Sequence, residues 1–159
     1  MAAQGVGWWN KGWWNREAAM AEMLDIVALD HVVLRVVDIE RSLHFYTGVL
    51  GLEAERYLDA GLIQLRAGAS LIDLVPVDSS SGRKGGGPPA ADGRNMEHFC
   101  LSLAEFDEQE IRDWLTAHSV PAGPVERRYG AGGYGPSLYL KDPDGNTVEL
   151  KGPPDPPHR

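Results

Sequence analysis

The chain has 159 residues, of which 43% are hydrophobic and 24% charged, and its formal net charge is −8. This size predicts one domain, or two half-size modules that share a core. The acidic balance argues against binding to nucleic acid, which requires clustered Lys and Arg. The single cysteine, Cys100, excludes an internal disulfide and a cysteine-rich zinc site, and it is compatible with the cytoplasmic localisation that we expect. Because its neighbours in the sequence are apolar, we expect Cys100 to be a small core residue of a strand.

Residues 1–23 are predicted to form a disordered tail outside the fold. They hold four of the five tryptophans, in a direct repeat that spans Gly7 to Lys11 and Gly12 to Arg16. The tryptophan pairs alternate with Asn, Lys and Arg, so the segment lacks the continuous apolar run of a secretory signal or a membrane span. We therefore expect no membrane partner, and the alternative is a tryptophan-rich interfacial anchor.

The first regular part of the chain predicts a strand, a helix and two further strands. Residues 26–37 are rich in Val, Ile and Leu, which is typical of a buried strand. Asp38 is suited to cap a helix whose apolar residues recur at helical spacing up to Gly51. Residues 62–66 and 70–77 predict two strands joined by a tight turn.

A segment rich in Gly, Ser and Pro follows at residues 79–95 and predicts a flexible linker or a mobile lid. After it the same order of elements restarts. Residues 96–103 predict a strand, and Asp107 is the predicted cap of a second helix. Further strands are predicted at residues 125–128, 137–141 and 147–151.

The two halves of the chain form an internal repeat. The strand around His31 matches the strand around His98 at an offset of 98 − 31 = 67, and each reads apolar, acidic, His, apolar, apolar, Leu, polar, apolar. Each half ends in an apolar–carboxylate–Leu strand, which contains Asp73 or Glu149. The sequence therefore predicts an α+β fold of two tandem βαβββ modules. The predicted bounds are 1–23 for the tail, 24–78 for the first module, 79–95 for the linker, 96–151 for the second module and 152–159 for a Pro-rich tail.

The recurrence of a His and a carboxylate in both halves predicts a metal site. A single His in an apolar strand is usually a core residue, but burial of Asp73 and Glu149 without a compensating charge is unfavourable. The imidazoles of His31 and His98 and the two carboxylates suit Zn, Ni, Co, Mn or Fe(II), with positions left open for ligand oxygens. The alternative is two buried His–carboxylate pairs without a metal.

HVVLRV at residues 31–36, Asp38 and RSLHFYTGVLGL at residues 41–52 resemble the opening module of glyoxalase I, a member of the vicinal oxygen chelate superfamily. DPDGNTVEL at residues 142–150 resembles the last strand of the same superfamily. The resemblance covers about residues 29–151 and implies a curved mixed sheet built from the two modules.

The resemblance also implies a set of site residues. His31, His98 and Glu149 fall at metal-ligand positions, and Asp73 falls where glyoxalase I has a ligand Glu. Arg35 matches an arginine that contacts a glutathione carboxylate, with a surface charge at the edge of the strand as the alternative.

The implied activity is that of a metal-dependent lyase or isomerase of the lactoylglutathione lyase type. Its substrate would be a small molecule with vicinal oxygens, such as a glutathione hemithioacetal, with Glu149 or Asp73 as the base and Arg35 and Tyr134 as substrate-binding residues. We expect a homodimer whose sites form between modules. One alternative is an extradiol-type Fe(II) dioxygenase with two His and one carboxylate, since the side chain of Asp73 is one methylene shorter than that of Glu. The other is a non-catalytic protein that binds a small molecule.

Overall fold

The computed structural model describes residues 27–90, 92 and 94–156. The predicted tail at residues 1–23 lies outside the described residues. Within the described part of the chain, no helix is long and apolar enough to cross a membrane.

The first module is a four-stranded sheet with one helix on its core side. Its strand order is β1-β4-β3-β2, in which β1 and β4 are parallel and the other neighbours are antiparallel. Helix α1 continues without a break into a π-helical turn at His44–Val49. The elements are β1 (His31–Val36), α1 (Ile39–Leu43), β2 (Glu53–Tyr57), β3 (Ile63–Ala67) and β4 (Ser70–Pro76).

The second module repeats this topology. Its strand order is β5-β8-β7-β6, with β5 and β8 parallel and the other neighbours antiparallel. The predicted fold class, two βαβββ modules with few helices, is confirmed. The elements are β5 (Phe99–Ser102), α2 (Glu108–Ala117), β6 (Glu126–Gly130), β7 (Gly133–Lys141) and β8 (Thr147–Lys151).

Local chemistry explains where both helices begin. The side chain of Asp38 accepts a hydrogen bond from the backbone N–H of Arg41 at 3.0 Å, and Asp107 accepts one from that of Glu110 at 3.0 Å. These carboxylates satisfy N–H groups that have no partner within the helix. Gly51 follows the first helical segment with φ of +73°, a conformation that glycine adopts without strain.

Several element boundaries differ from those predicted. The strand predicted at residues 26–37 begins only at His31 within the described residues, because Val27 and Leu29 are exposed and unpaired with the sheet. The strand predicted at residues 96–103 is reduced to β5, so His98 lies directly before it. Strand β2 was not predicted individually, because it is a largely exposed edge strand without apolar alternation.

The two modules share one hydrophobic core and are joined by polar contacts at one end. Buried apolar residues of both sheets and both helices form a single cluster. The hydroxyl of Tyr46 donates to Oδ2 of Asp142 at 2.7 Å, and the indole N–H of Trp114 donates to the carbonyl of Val49 at 2.9 Å. Burial and the neighbouring carboxylate Asp142 raise the pKa of Tyr46, so the phenol stays a donor.

The segment after β8 runs along β7. The N–H of Gly152 donates to the carbonyl of Pro136 at 2.8 Å, and the N–H of Asp155 donates to that of Tyr134 at 2.6 Å. The Pro-rich segment predicted as a tail therefore extends the antiparallel contact between β7 and β8 as far as Asp155.

Candidate functional site

The strand register places the predicted His and carboxylate residues at equivalent positions in both sheets. In the first sheet Val33 is the neighbour of Asp73, and His31 lies two residues before Val33. In the second sheet Cys100 is the neighbour of Glu149, and His98 lies two residues before Cys100. Because side chains alternate along a strand, each His and its carboxylate belong to the same face of their sheet.

In the second sheet the two predicted ligands are in contact. Nε2 of His98 lies 3.0 Å from Oε2 of Glu149, whose residue is only 5% exposed. The ring of Tyr139 packs edge-on against the imidazole, with 5.4 Å between the ring centroids. Tyr139 is also the cross-strand neighbour of Glu149, and desolvation together with the Glu149 charge raises the pKa of this phenol.

In the first sheet the two predicted ligands have other partners. Both carboxylate oxygens of Asp73 accept from Nε2 of Gln64 at 3.1 Å, and Asp73 is 5% exposed. Gln64 is the cross-strand neighbour of Asp73, as Tyr139 is of Glu149. The exposed His31 bonds through Nδ1 to Oδ1 of Asp30 at 2.6 Å. This bond raises the pKa of His31, desolvation opposes the shift, and the charge of Asp73 adds to it.

Both imidazoles are oriented in the same way by the acidic residue that precedes them. Nδ1 of His31 contacts the carboxylate of Asp30, and Nδ1 of His98 contacts that of Glu97. A carboxylate on one ring nitrogen fixes the ring and leaves the other nitrogen as a donor to a metal, which is the arrangement found at many metal-bound histidines. The repeated acidic–His pair in the sequence is the signal of this arrangement.

The donor chemistry of the second sheet fits a divalent cation. The 3.0 Å between Nε2 of His98 and Oε2 of Glu149 is close to the roughly 3 Å that separates two neighbouring donors, each about 2.0–2.2 Å from one ion. In the first sheet, Oε1 of Gln64 is buried without a hydrogen-bond partner among the described residues. Its amide N–H group already holds Asp73, so this carbonyl oxygen remains available to a further donor or cation.

One chain does not bring all four predicted ligands together. Among the residues that the structure describes, no three His, Cys, Asp or Glu side chains are grouped so that they could hold a metal ion. His98 and Glu149 form one pair on the second sheet, and His31 and Asp73 lie on the first sheet. The structure therefore places the four predicted ligands in two separate groups, one on each sheet.

Arg35, predicted to bind substrate, contacts the linker instead. Its guanidinium donates to the carbonyls of Gly82 at 2.9 Å, Gly85 at 2.9 Å, Gly86 at 2.7 Å and Gly87 at 2.9 Å. These contacts hold a short 3-10 turn at Gly82–Gly85 against β1. The segment predicted as a flexible linker is thus anchored along this stretch.

Tyr134, the other predicted substrate-binding residue, lies on the β6–β7 hairpin. Its ring meets that of Tyr129 at 5.0 Å between centroids, and the guanidinium carbon of Arg127 lies 4.2 Å from the Tyr134 ring centroid. Tyr129, rather than Tyr134, lines the cavity beside the His98–Glu149 pair.

That cavity has a volume of about 570 Å³ and lies over the second sheet. One wall is the glycine-rich hairpin and the other is the segment after β8. Its lining residues are His98, Cys100, Ser102, Leu103, Ala104, Tyr129, Gly130, Ala131, Gly132, Gly133, Glu149, Lys151, Gly152, Pro153 and Pro154.

The prediction that Cys100 is a small core residue is wrong. The structure places it exposed on the cavity side of β5, and its neighbours Phe99 and Leu101 pack against the core instead. Partial desolvation and the charge of Glu149 raise the pKa of the thiol to about 11. Cys100 is therefore a neutral thiol at neutral pH.

Sequence reasoning also missed Gln64, Tyr139 and Lys151 on the site faces. Lys151 could have been found, because it lies two residues beyond Glu149 in the same strand and alternation puts both on one face. Gln64 and Tyr139 give no such signal, since their positions opposite the carboxylates depend on strand register.

The protein is thus built from two modules of the same sheet topology. Each module carries a His and a carboxylate, which are common metal-binding residues, on one face of its sheet. The model of the Glyoxalase/Bleomycin resistance protein/Dioxygenase superfamily matches residues 28–150. The chain belongs to this superfamily.

Three relatives illustrate the range of the similarity. Virulence protein STM3117 of Salmonella typhimurium is 32% identical over 123 residues, which are 77% of this chain and 81% of that protein. An integron cassette protein from the mobile metagenome of V. cholerae is 30% identical with a TM-score of 0.64, covering 81% of this chain and 97% of that one. Lactoylglutathione lyase from Agrobacterium tumefaciens shares the fold at 23% identity and a TM-score of 0.59, covering 80% and 95% of the two chains.

Proposed function

We propose that this protein is a metal-dependent lyase or isomerase of the glyoxalase I type. Its substrate is a small molecule with two neighbouring oxygens, and the hemithioacetal of methylglyoxal and glutathione is the first candidate. The observation that supports this most directly is the 3.0 Å contact between Nε2 of His98 and Oε2 of the buried Glu149. Membership of the superfamily supports a small-molecule site but leaves the activity open.

His98 and Glu149 would hold a divalent cation, and Zn, Ni, Co, Mn and Fe(II) all accept this mixture of imidazole and carboxylate. Glu97 would keep the imidazole oriented through Nδ1. When bound, such an ion stabilises negative charge that develops on the two substrate oxygens.

Glu149 is the proposed base. One of its oxygens, Oε2, contacts His98, and we assign the other, Oε1, to removal of the proton from the substrate carbon that bears the hydroxyl group. In an isomerisation the same carboxyl group returns this proton to the adjacent carbonyl carbon, while the hydroxyl proton passes to the former carbonyl oxygen. Tyr139 lies directly across from Glu149 with a raised pKa, so its protonated hydroxyl can donate a hydrogen bond to the carboxylate or the substrate.

We further propose that the complete site forms in a homodimer. The site face of the first sheet exposes an apolar side chain, Val33, to an extent of 52%. In a symmetric dimer, His31 and Asp73 of each chain would meet the His98–Glu149 pair of the other chain, giving two equivalent sites. The buried but separate carboxylates Asp73 and Glu149 would then share one cation.

A complementation experiment tests both the ligands and the shared site. His31→Ala and His98→Ala should each abolish turnover of methylglyoxal-glutathione and retention of one metal per site. When the two inactive variants are mixed and allowed to exchange subunits, half of the dimers should be mixed, and each mixed dimer has one intact site. Activity should therefore return to about a quarter of the wild-type value.

The matched control is His44→Ala, which removes an exposed histidine from the first helical segment and should leave activity unchanged. A mixture that stays inactive, with each variant folded and dimeric, would contradict the shared site. Wild-type protein that binds no divalent metal would contradict the proposed function itself.

One observation favours a second candidate, an extradiol-type Fe(II) dioxygenase. The amide of Gln64 occupies both oxygens of Asp73, which leaves His31, His98 and Glu149 as a set of two His and one carboxylate. That set with open positions is typical of non-haem Fe(II) oxygenases. Oxygen uptake by the Fe(II)-loaded protein with catechol would identify this activity, and uptake at the rate of a protein-free control would exclude it.

A further inference from the structure

Lys151 is a buried cation on the site face of the second sheet. It is the last residue of β8 and only 7% exposed. It lies two residues beyond Glu149, so the two side chains share a face and their Cα atoms are about 7 Å apart. The equivalent residue of the first module is Val75, which lies two residues beyond Asp73. The cation is thus a feature of the second module alone.

The surroundings of Lys151 hold its ammonium group but do not neutralise it. Nζ donates to the carbonyl of Arg128 at 2.5 Å and to that of Gly135 at 3.4 Å. The stem of the side chain lies against Gly130, where an added Cβ would be 2.8 Å from Cε. An ammonium group has three donors, so two carbonyls leave one N–H for another acceptor.

The cationic side chains near the β6–β7 hairpin differ in whether they have a carboxylate partner. Arg127 pairs with Asp155 at 2.5 Å, and Arg128 pairs with Glu126. Within the described ranges, no carboxylate lies at ion-pair distance from Lys151. A buried charge that lacks a counter-ion is unfavourable, and an anionic ligand would supply one.

Ser137 provides an independent observation at the same place. It is the cross-strand neighbour of Lys151, it is fully buried, and its hydroxyl has no hydrogen-bond partner among the residues described. Its chain neighbour Leu138 belongs to the core, so alternation assigns Ser137 to the site face. A buried hydroxyl without a partner is rare in folded proteins and indicates a ligand or an ordered water.

We propose that Lys151, the cross-strand neighbour of the buried Ser137, forms a subsite for a carboxylate group of the substrate. The inference rests on the proposed function, because it gives that substrate two parts: a pair of neighbouring oxygens at His98 and Glu149, and a carboxylate farther along β8. All of these side chains except Ser137 line the same cavity of about 570 Å³. Arg35 cannot take this role while its guanidinium is bound to the linker carbonyls.

Three rigid probes separate the two parts of the site. Catechol supplies only neighbouring oxygens, 3,4-dihydroxybenzoate adds a carboxylate at the far side of the ring, and 3,4-dihydroxybenzamide replaces that carboxylate with a neutral group of similar shape. Binding to the zinc-loaded protein would be measured by calorimetry, which needs no turnover. The wild-type protein should bind the benzoate about 10- to 100-fold more tightly than the benzamide, the range expected of a buried charge-assisted hydrogen bond.

The Lys151→Met variant should reduce this preference to less than about twofold, because Met keeps the length of the stem but removes the charge. Lys141→Met is the matched control, since Lys141 is an exposed lysine at the far end of β7 and its loss should leave the preference intact. Circular dichroism and thermal melting would verify that each variant is folded. If Lys151→Met does not fold, Gly130→Ala provides the same test, because its Cβ must displace the lysine stem.

The outcomes separate this subsite from the proposed function. A wild-type protein without preference for the benzoate, or a preference that survives the loss or displacement of Lys151, overturns the subsite even if catechol binding requires zinc. Failure of catechol to bind the zinc-loaded protein counts against the proposed function, whereas a benzoate preference that depends on Lys151 would still support the subsite. Failure of all three probes to bind overturns both.

Discussion

In the second sheet the imidazole of His98 touches the carboxylate of Glu149, whereas in the first sheet His31 bonds to Asp30 and Asp73 bonds to Gln64. The backbone register of the two sheets is the same at these positions. The difference therefore comes from the side chains: Asp is one methylene shorter than Glu, and Gln64 replaces Tyr139 as the cross-strand neighbour. A repeated backbone can thus carry one His–carboxylate pair whose members are in contact and one whose members bind other residues.

Replacement of the two carboxylates should show the largest difference between the halves. We expect Glu149→Gln to lower kcat/KM by roughly 10²–10⁴-fold, because it removes the proposed base and a ligand together. Asp73→Asn should lower it by about tenfold, the lower end of the range for a supporting residue at a metal site. Steady-state kinetics and metal analysis of both variants test this order, and equal losses would show that the two carboxylates have the same role.

Lengthening the first carboxylate should make the first half resemble the second. Asp73→Glu is expected to tighten metal binding by about tenfold, since the added methylene lets the carboxylate reach past the Gln64 amide. Competition with a chelator would measure the change, and Glu55→Asp, at an exposed position on β2, is the control. Unchanged affinity would indicate a site of two His and one carboxylate.

Loss of the hydrogen bond between Tyr46 and Asp142, which joins the modules, should have a smaller effect than loss of a site carboxylate, and the effect should be on stability. Tyr46→Phe should lower the free energy of unfolding by about 2 kcal/mol, because it leaves a buried oxygen of Asp142 with one donor fewer. Urea titration should still show a single transition, since both modules share one core. The exposed Tyr57→Phe is the control, and two separate transitions for Tyr46→Phe would mean that the modules unfold independently.

The smallest effect is expected from replacement of Arg35, whose side chain binds the linker to β1. Arg35→Ser introduces the residue that the second module has at the equivalent position, Ser102, and removes the donors to the carbonyls of residues 82–87. We expect a loss of about 1 kcal/mol in stability, because these bonds are partly exposed. Limited proteolysis should show faster cleavage between residues 82 and 95, and cleavage at the wild-type rate would indicate that other contacts hold the segment.

Much of the candidate site could be predicted because its residues repeat. The acidic–His pairs and the final carboxylates recur at matching places in both halves, and alternation in a strand puts each His and its carboxylate on one face. The burial of Asp73 and Glu149 followed from their apolar neighbours. The prediction that Cys100 lies in the core is wrong, because β5 packs against the core through Phe99 and Leu101 and carries Cys100 on its open face.

The sequence by itself determined the two-module topology, the helix starts at Asp38 and Asp107, and the His and carboxylate residues of each half, since these depend on local periodicity and capping. Only the tertiary structure decided which side chains meet. The positions of Gln64 and Tyr139 opposite the carboxylates follow from hairpin register, and the anchoring of the linker on Arg35 joins residues about 50 positions apart. The same applies to Lys151, which is buried without a carboxylate partner among the residues that the structure describes, whereas Arg127 and Arg128 each have one. Such pairings depend on distances in space, which local sequence patterns do not encode.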